Sequence, residues 1–240
     1  MIFDLPRGEI FRVDAIDVRL HDGPHPFAIE HREAIVENWA LETKANPSLF
    51  DGEVALLASL AYRDGLLSGR SHIVGYSTFM YWRKLRPHPT AEHCYAHAMP
   101  VTRDNALVAI RMARQTVGAG LVYFASGSFE PEDFVHGRVD VPFNMVREVR
   151  EETGIDIAAA PTDASFHALS LSTGTVFFRR CYLDETADEL AARISDFVRG
   201  GGDPEMEIEG PVVIRAAHDL TDRLAPQMPA LIAWHFANPR

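Results

Sequence analysis

Between residues 9 and 20, apolar positions alternate loosely with polar ones, with Phe11, Val13, Ile16 and Val18 in the apolar set. The pattern predicts a strand or a bent pair of strands. Gly23, Pro24 and Pro26 then mark a turn. Residues 27–45 switch to helical spacing, carried by Ile29, Ile35, Val36, Trp39 and Ala40, and Pro47 ends that helix. A buried strand is expected over 54–62, with Arg63-Asp64-Gly65 as a hairpin turn and 71–74 as its partner. Residues 76–85 predict a short helix. Its Tyr76, Phe79, Met80 and Trp82 suit a core face, the common use of aromatics at helical spacing, or a platform for a nucleobase. Arg86-Pro87-His88-Pro89 reads as a connection to the rest of the chain.

Beyond it, 93–101 and 106–112 predict a strand pair across 102–105. His93 and His97 fall on one side of the first strand, as structural histidines or as ligands set far apart. A strand is expected at 121–125 and a helix from Pro142 to a stop at Gly154. A hairpin follows over 165–171 and 175–183, then an amphipathic helix over 184–198 carrying Leu190, Ile194 and Phe197. After the loop Gly200-Gly201-Gly202-Asp203-Pro204 come a strand at 211–214 and a helix at 229–236. This order predicts an α/β (α+β) fold. The organisation expected is an amino-terminal α+β lobe over 1–90 and a second domain over 91–240.

The composition is that of a soluble globular chain: 240 residues, 47% hydrophobic and 24% charged. The formal net charge of −11 comes without a Lys/Arg cluster, which argues against a nucleic-acid polymer as partner. A small phosphorylated ligand stays compatible, because a local metal ion overrides the field of the whole molecule. Cys94 and Cys181 have no metal-ligand spacing and read as buried thiols. The first residues lack a signal-peptide pattern, and the longest apolar run, 54–62, is too short to span a bilayer. A reduced, cytoplasmic protein with no membrane association is expected. These residues do not set the oligomeric state, and a homodimer is compatible with them.

The candidate chemistry sits on the 142–153 helix. At about 100° per residue, Pro142, Met145, Val146, Val149 and Thr153 share one arc, and Glu148, Glu151 and Glu152 share another. Like charges at these spacings repel, and burial sharpens the cost unless a cation lies among them. An all-oxygen donor set suits a hard ion, Mg²⁺ or Mn²⁺. The alternative is a solvated Glu/Arg surface helix.

The nine residues Arg147-Glu148-Val149-Arg150-Glu151-Glu152-Thr153-Gly154-Ile155 resemble the second half of the Nudix box position for position: Arg, Glu, an aliphatic, any residue, Glu, Glu, any residue, Gly, an aliphatic. Before allowing for helical composition, such a match arises by chance on the order of once in 10⁵ chains of this length. The family's first half places a Gly, five residues, a Glu and seven residues before the Arg. Here Gly127 is followed after five residues by Asp133, and thirteen residues separate Asp133 from Arg147. An insertion around 134–140 accounts for the difference, with Asp133 as the displaced acid. The segment Asn46-Pro47-Ser48-Leu49-Phe50-Asp51-Gly52, behind the Trp39 helix, is similar to the same region of the UDP-glucose/UDP-galactose pyrophosphatase branch of the family.

The resemblance implies a Nudix-type mixed β-sheet sandwiched between helices. It also implies Mg²⁺- or Mn²⁺-dependent hydrolysis of a nucleoside diphosphate linked to another moiety, giving a nucleoside monophosphate and a phosphorylated product. Glu148, Glu151 and Glu152 would be the metal ligands, with Glu151 and Glu152 in the catalytic role. Arg147 would orient a neighbouring glutamate, Gly154 would end the helix, and Gly127 would let substrate approach the backbone. A general base is sought in Glu152 itself or in the late loop, where Glu205, Glu207 and Glu209 alternate along an extended stretch and Glu207 is the candidate. Arg138, beside Gly137, is the candidate phosphate contact. Arg179 and Arg180 point opposite ways along a strand, so at most one meets a phosphate. The proline or tyrosine that marks the ADP-ribose and diadenosine branches roughly 15 to 18 residues past the box is absent from the window 169–173. The coenzyme A signature is also absent. A nucleoside diphosphate sugar is the expected substrate, and a catalytically inactive nucleotide-binding module is the alternative.

Overall fold

The computed structural model describes residues 2–203, 206–219 and 223–239. In chain order it contains β1 (Phe3–Asp4), β2 (Ile10–Val13), β3 (Ala15–Leu20), α1 (Pro26–Glu30), α2 (Arg32–Ala45), β4 (Glu53–Arg63), β5 (Leu66–Gly75) and α3 (Tyr76–Leu85). There follow β6 (Cys94–Val101), β7 (Leu107–Met112), β8 (Val122–Tyr123), a 3-10 turn (Pro131–Asp133), β9 (Phe134–Val135), β10 (Arg138–Val139) and α4 (Val141–Thr153). The last elements are β11 (Phe166–Leu171), β12 (Gly174–Tyr182), α5 (Ala187–Arg199), β13 (Ile208–Ile214) and α6 (Met228–Ala237). The class is α+β with both parallel and antiparallel strand pairs. None of the helices among the described residues is long and apolar enough to cross a membrane.

The chain divides into two compact units, each assembled from discontinuous segments. The first holds Met1–Tyr95, Ser128–Val141 and Ser165–Phe177, and the second holds Ala96–Gly127, Pro142–Ala164 and Phe178–Arg240.

In the first unit a six-stranded sheet runs β1-β4-β5-β3-β10-β9. The long β4–β5 hairpin is its spine, turning at Asp64-Gly65, both at positive φ. Phe27, Leu56, Phe79 and Trp82 are buried together at its core. The aromatics of α3 therefore fill the interior, and Trp82 donates its indole N–H to the Ala91 carbonyl at 2.9 Å. Asp51 accepts from the Ser77 backbone N–H at 2.7 Å and so satisfies a first-turn donor of α3 from a distant segment. The single helix expected over 27–45 is broken at His31, whose backbone leaves the helical region at φ −111°, ψ 20°. α1 seats the fully buried Phe27 and is capped by His25, whose Nδ1 accepts from the Phe27 N–H at 3.0 Å.

The segment expected as an inserted loop is ordered as a hairpin. His136 and Gly137 both take positive φ between β9 and β10, the requirement of a type I′ turn. β10 then adds to the edge of β3, with Arg138 opposite Arg19. The 9–20 stretch takes the bent-pair form: β2 pairs with β11 and β3 runs parallel to β5.

In the second unit the strand order is β13-β7-β6-β12, with β8 also on β7. Val108 and Ile110 of β7, Pro100 of β6, Val149 of α4 and Leu190 and Ile194 of α5 close around a void of about 10 Å³. On β6, Pro100 faces this side, so His97, three residues earlier, faces the other. There it meets the Gln227 amide at 3.0 Å, next to α6, and Trp234 of α6 packs edge-on to Phe178 of β12. Helices thus cover both faces of this sheet.

Candidate functional site

The carboxylate helix α4 lies in the second unit from Pro142 onward. Of the arc expected to face the core, Met145, Val149 and Thr153 are buried, Val146 is half-buried, and Pro142, in the first turn, is exposed. The three glutamates do not share one environment. Glu148 and Glu152 are 7% and 3% exposed, whereas the Glu151 side chain is 57% exposed. Helical geometry explains the split: Glu152 falls about 20° from the edge of the apolar arc, and Glu151 sits farthest from it. A purely solvated acidic face is therefore ruled out for this helix.

Each carboxylate is held. The Arg147 guanidinium contacts Glu148 at 2.8 Å and Glu151 at 3.0 Å, and its own side chain is only 12% exposed. Asn144, fully buried one turn earlier, lies 3.4 Å from Glu148 Oε1 through its amide nitrogen. Ser126 donates its backbone N–H to Glu152 Oε2 at 2.9 Å. Gly127 is next to it, and a Cβ built there would stand 2.6 Å from the Glu148 carboxyl carbon. The glycine is thus required to leave the Glu148 carboxylate its place, a steric role and not one of backbone conformation.

Burial pushes the Glu152 carboxyl well above the usual carboxylate range. Repulsion from Glu148 adds to this, then repulsion from Glu207 and Asp203, while the Ser126 N–H opposes it. Glu207 of the late loop is therefore within electrostatic reach of Glu152, and its carbonyl accepts from the Ala113 N–H at 2.8 Å. Glu209 turns to an ion pair with Arg114 at 3.6 Å. A bulge between Ile208 and Gly210 breaks the alternation on which the shared side was predicted. Glu205 lies outside the described residues.

Asp203 is the acid that reading the sequence missed. It is 6% exposed, and its carboxylate accepts from the Ile208 N–H at 3.1 Å, which ties it to the first residue of β13. The run of glycines before it reads as a flexible loop, and only the closure onto β13 makes Asp203 a buried neighbour of the helix acids. Asn144 was missed too; a polar residue on the glutamate side of the helix is the signal that would have found it.

Gly154 ends α4 as expected, at φ 69°, with its N–H on the Arg150 carbonyl at 2.9 Å. Asp133 and Arg138 belong to the first unit. Asp133, fully buried, accepts from the Glu130 N–H at 2.9 Å and caps the 3-10 turn. Arg138 pairs with Asp17 at 2.9 Å. In the second unit Arg180 is committed to Asp163 at 2.7 Å and to the ring of Trp234. His93 accepts or donates at 3.0 Å to the Ser128 hydroxyl, and His97 to Gln227. Both are structural.

Among the described residues, no group of three or more His, Cys, Asp or Glu side chains is arranged to hold a metal ion. The donor chemistry nevertheless suits a hard divalent cation: two buried carboxylates one helical turn apart, two further acids whose repulsion raises the pKa of one of them and which a cation would relieve, and a glycine making room for the other.

No family model matches the sequence, and no curated protein sequence matches it. Among solved structures, the DR0079 protein of Deinococcus radiodurans aligns with a TM-score of 0.44 at 12% identity, over 75% of this chain and 99% of that one. A MutT protein of Methanosarcina mazei aligns with a TM-score of 0.28 at 17% identity, over 40% of this chain and 64% of that one.

Proposed function

We propose that the protein is a Nudix-type pyrophosphohydrolase. It would cleave the pyrophosphate bond of a nucleoside diphosphate joined to another moiety, with a nucleoside diphosphate sugar as the substrate class. The observation that carries this reading is the buried Glu148–Glu152 pair on α4, clamped by Arg147 and spaced by Gly127, within the nine-residue motif 147–155.

Glu148 and Glu152 would hold Mg²⁺ or Mn²⁺, with Glu151 reaching from the exposed side. A cation held there would supply charge neutralisation to the phosphate oxygens and would lower the pKa of a bound water. Arg147 fixes the rotamers of Glu148 and Glu151, so the acids are positioned before substrate arrives. Gly127 makes room for the Glu148 carboxylate, and the Ser126 N–H holds the Glu152 carboxylate beside it. Glu207, within electrostatic reach of Glu152, is the candidate to take the proton from the attacking water. Nothing in the first unit is needed for these assignments.

The test is a panel of nucleoside diphosphate sugars, dinucleotides and nucleoside triphosphates, incubated with Mg²⁺ or Mn²⁺ and scored by product mass. Nucleoside monophosphate release should require the metal and fall by at least about tenfold in both Glu151→Gln and Glu152→Gln. Equal turnover in wild type and both variants rejects the assignment.

A second reading is an inactive Nudix-like module that binds a nucleotide without cleaving it. It is favoured by the engagement of Asp133, the displaced acid of the motif, in capping a 3-10 turn of the first unit. It predicts nucleotide binding with no metal-stimulated product on the same panel.

A further inference from the structure

The first unit contains a cleft of about 940 Å³ that the proposed hydrolytic chemistry does not use. Its walls are mainly apolar, with Phe3, Trp82, Pro87, Pro89 and Leu171 among them. Arg7, Glu92 and Ser170 also line it. The volume is that of a small-molecule site, and apolar walls with a few convergent polar groups are the usual make-up of one.

The polar groups form one connected network. Arg7 donates through Nη2 to Glu92 Oε2 at 2.7 Å and through Nη1 to the Ser170 hydroxyl at 2.5 Å. Thr175 donates to Glu92 Oε1 at 2.5 Å and shares a 2.7 Å hydrogen bond with Ser170. Ser170 and Thr175 are fully buried, and Glu92 is 7% exposed. Glu92 is also fixed through its backbone, which exchanges hydrogen bonds of 2.8 and 3.1 Å with Leu57. Both Glu92 oxygens are therefore occupied by protein donors.

Arg7 differs from the others. Its side chain keeps 42% of its surface open. Two of the roughly five guanidinium N–H donors are used on Glu92 and Ser170. The remaining donors sit on a fork that two buried partners hold rigid. A rigid, planar, partly open guanidinium matches a carboxylate better than a point charge does. Its charge is already offset by Glu92, and among the described residues of the lining the basic ones are Arg7 and His88. That balance suits a single negative charge and disfavours a phosphate dianion, which would meet one half-neutralised cation. The apolar walls call for an apolar body.

We infer that this cleft is a binding site for a small monocarboxylate with a flat apolar or aromatic body, anchored through its carboxylate on Arg7. The site lies within the first unit and is independent of the metal chemistry proposed for α4.

The test uses the full chain, without added metal, and 2-naphthoate as the probe, with 2-naphthylmethanol as its uncharged match. Calorimetric titration should show saturable binding of the naphthoate and at least about tenfold weaker binding of the alcohol. Ser172→Trp fills the cleft from its exposed rim and leaves the Arg7 network intact, so it should abolish binding without lowering the melting temperature. Arg7→Lys keeps a cation beside Glu92 but loses the fork, and should weaken naphthoate at least about tenfold while leaving the alcohol unchanged. Glu152→Gln should bind naphthoate like wild type, which separates this site from the proposed hydrolytic one. Equal affinity for acid and alcohol, unaltered binding in Ser172→Trp, or no saturable binding of naphthoate each overturns the inference.

Discussion

The backbone N–H of Ser126 is 2.9 Å from the Glu152 carboxylate, and this hydrogen bond joins two stretches 26 residues apart in sequence. It fixes one buried acid of α4 against the residue before Gly127, the glycine that makes room for the other. The two halves of the proposed site are therefore tied at the level of single atoms within one unit.

The first prediction concerns Glu152→Gln. In the wild type this carboxyl is buried among Glu148, Glu207 and Asp203, and burial with repulsion pushes its pKa up. Glutamine retains an acceptor for Ser126 and removes the charge. In metal-free buffer near neutral pH the variant should be more stable than wild type, by on the order of 1 kcal/mol, while losing turnover. Urea titrations of both proteins in EDTA check this. A variant clearly less stable than wild type would show that the negative charge itself supports the fold.

Gly127→Ala is the steric counterpart. The new Cβ would stand 2.6 Å from the Glu148 carboxyl carbon, so Glu148 must give way while Arg147 and Asn144 still hold it. Displacement of about an ångström at such a site costs roughly tenfold to a hundredfold in kcat/KM. Turnover with the best substrate of the panel measures it. Gly127 carries no positive φ, so backbone strain adds nothing, and any fall in melting temperature reports the displaced Glu148 contacts.

Gly154→Ala should act on stability instead. Gly154 has φ 69°, and a Cβ added to it would stand 2.7 Å from the Phe197 ring carbon Cγ. Left-handed strain and displacement of an aromatic on α5 together should cost about 1–3 kcal/mol. Chemical denaturation reads the loss, and an unchanged midpoint would contradict the contact.

Acid should destabilise the protein through buried histidines. Burial holds the His93 and His97 imidazoles down at about 3 and His25 at about 4, below the ordinary 6.5. The folded state then binds fewer protons than the unfolded state as pH falls from about 6.5 toward those values. Their contribution is fully present above the unfolded pKa and is lost through that window. His93 and His97 would each cost up to about 1.4 kcal/mol per pH unit there. Unfolding midpoints between pH 7 and 4.5 should fall, less steeply in His97→Gln. A flat profile would contradict it.

Much of this was legible in the chain. The α3 aromatics, the β4–β5 hairpin and the end of α4 at Gly154 follow from local periodicity and turn chemistry, which the tertiary structure did not override. The 147–155 motif located the acids because its spacing is helical. What spacing did not reveal was which acids are buried, since Glu151 and Glu152 are adjacent in sequence and differ only by where the apolar arc ends. Nor was the role of Asp203 visible, because its burial depends on a loop closing onto β13 after three glycines. The 134–140 segment read as an inserted loop because strands of two residues have no period. The His31 break was hidden for a similar reason: helical spacing continues through a single non-helical residue.

The central claim is that Glu148 and Glu152 capture a divalent cation. Titration of Mn²⁺ into the metal-free protein, followed by electron paramagnetic resonance, tests it without reference to substrate. Wild type should bind Mn²⁺ saturably, and the Glu148→Gln/Glu152→Gln double variant should bind at least about tenfold more weakly with its fold intact. Saturable binding of equal affinity in both proteins, or no binding to wild type, would contradict the account.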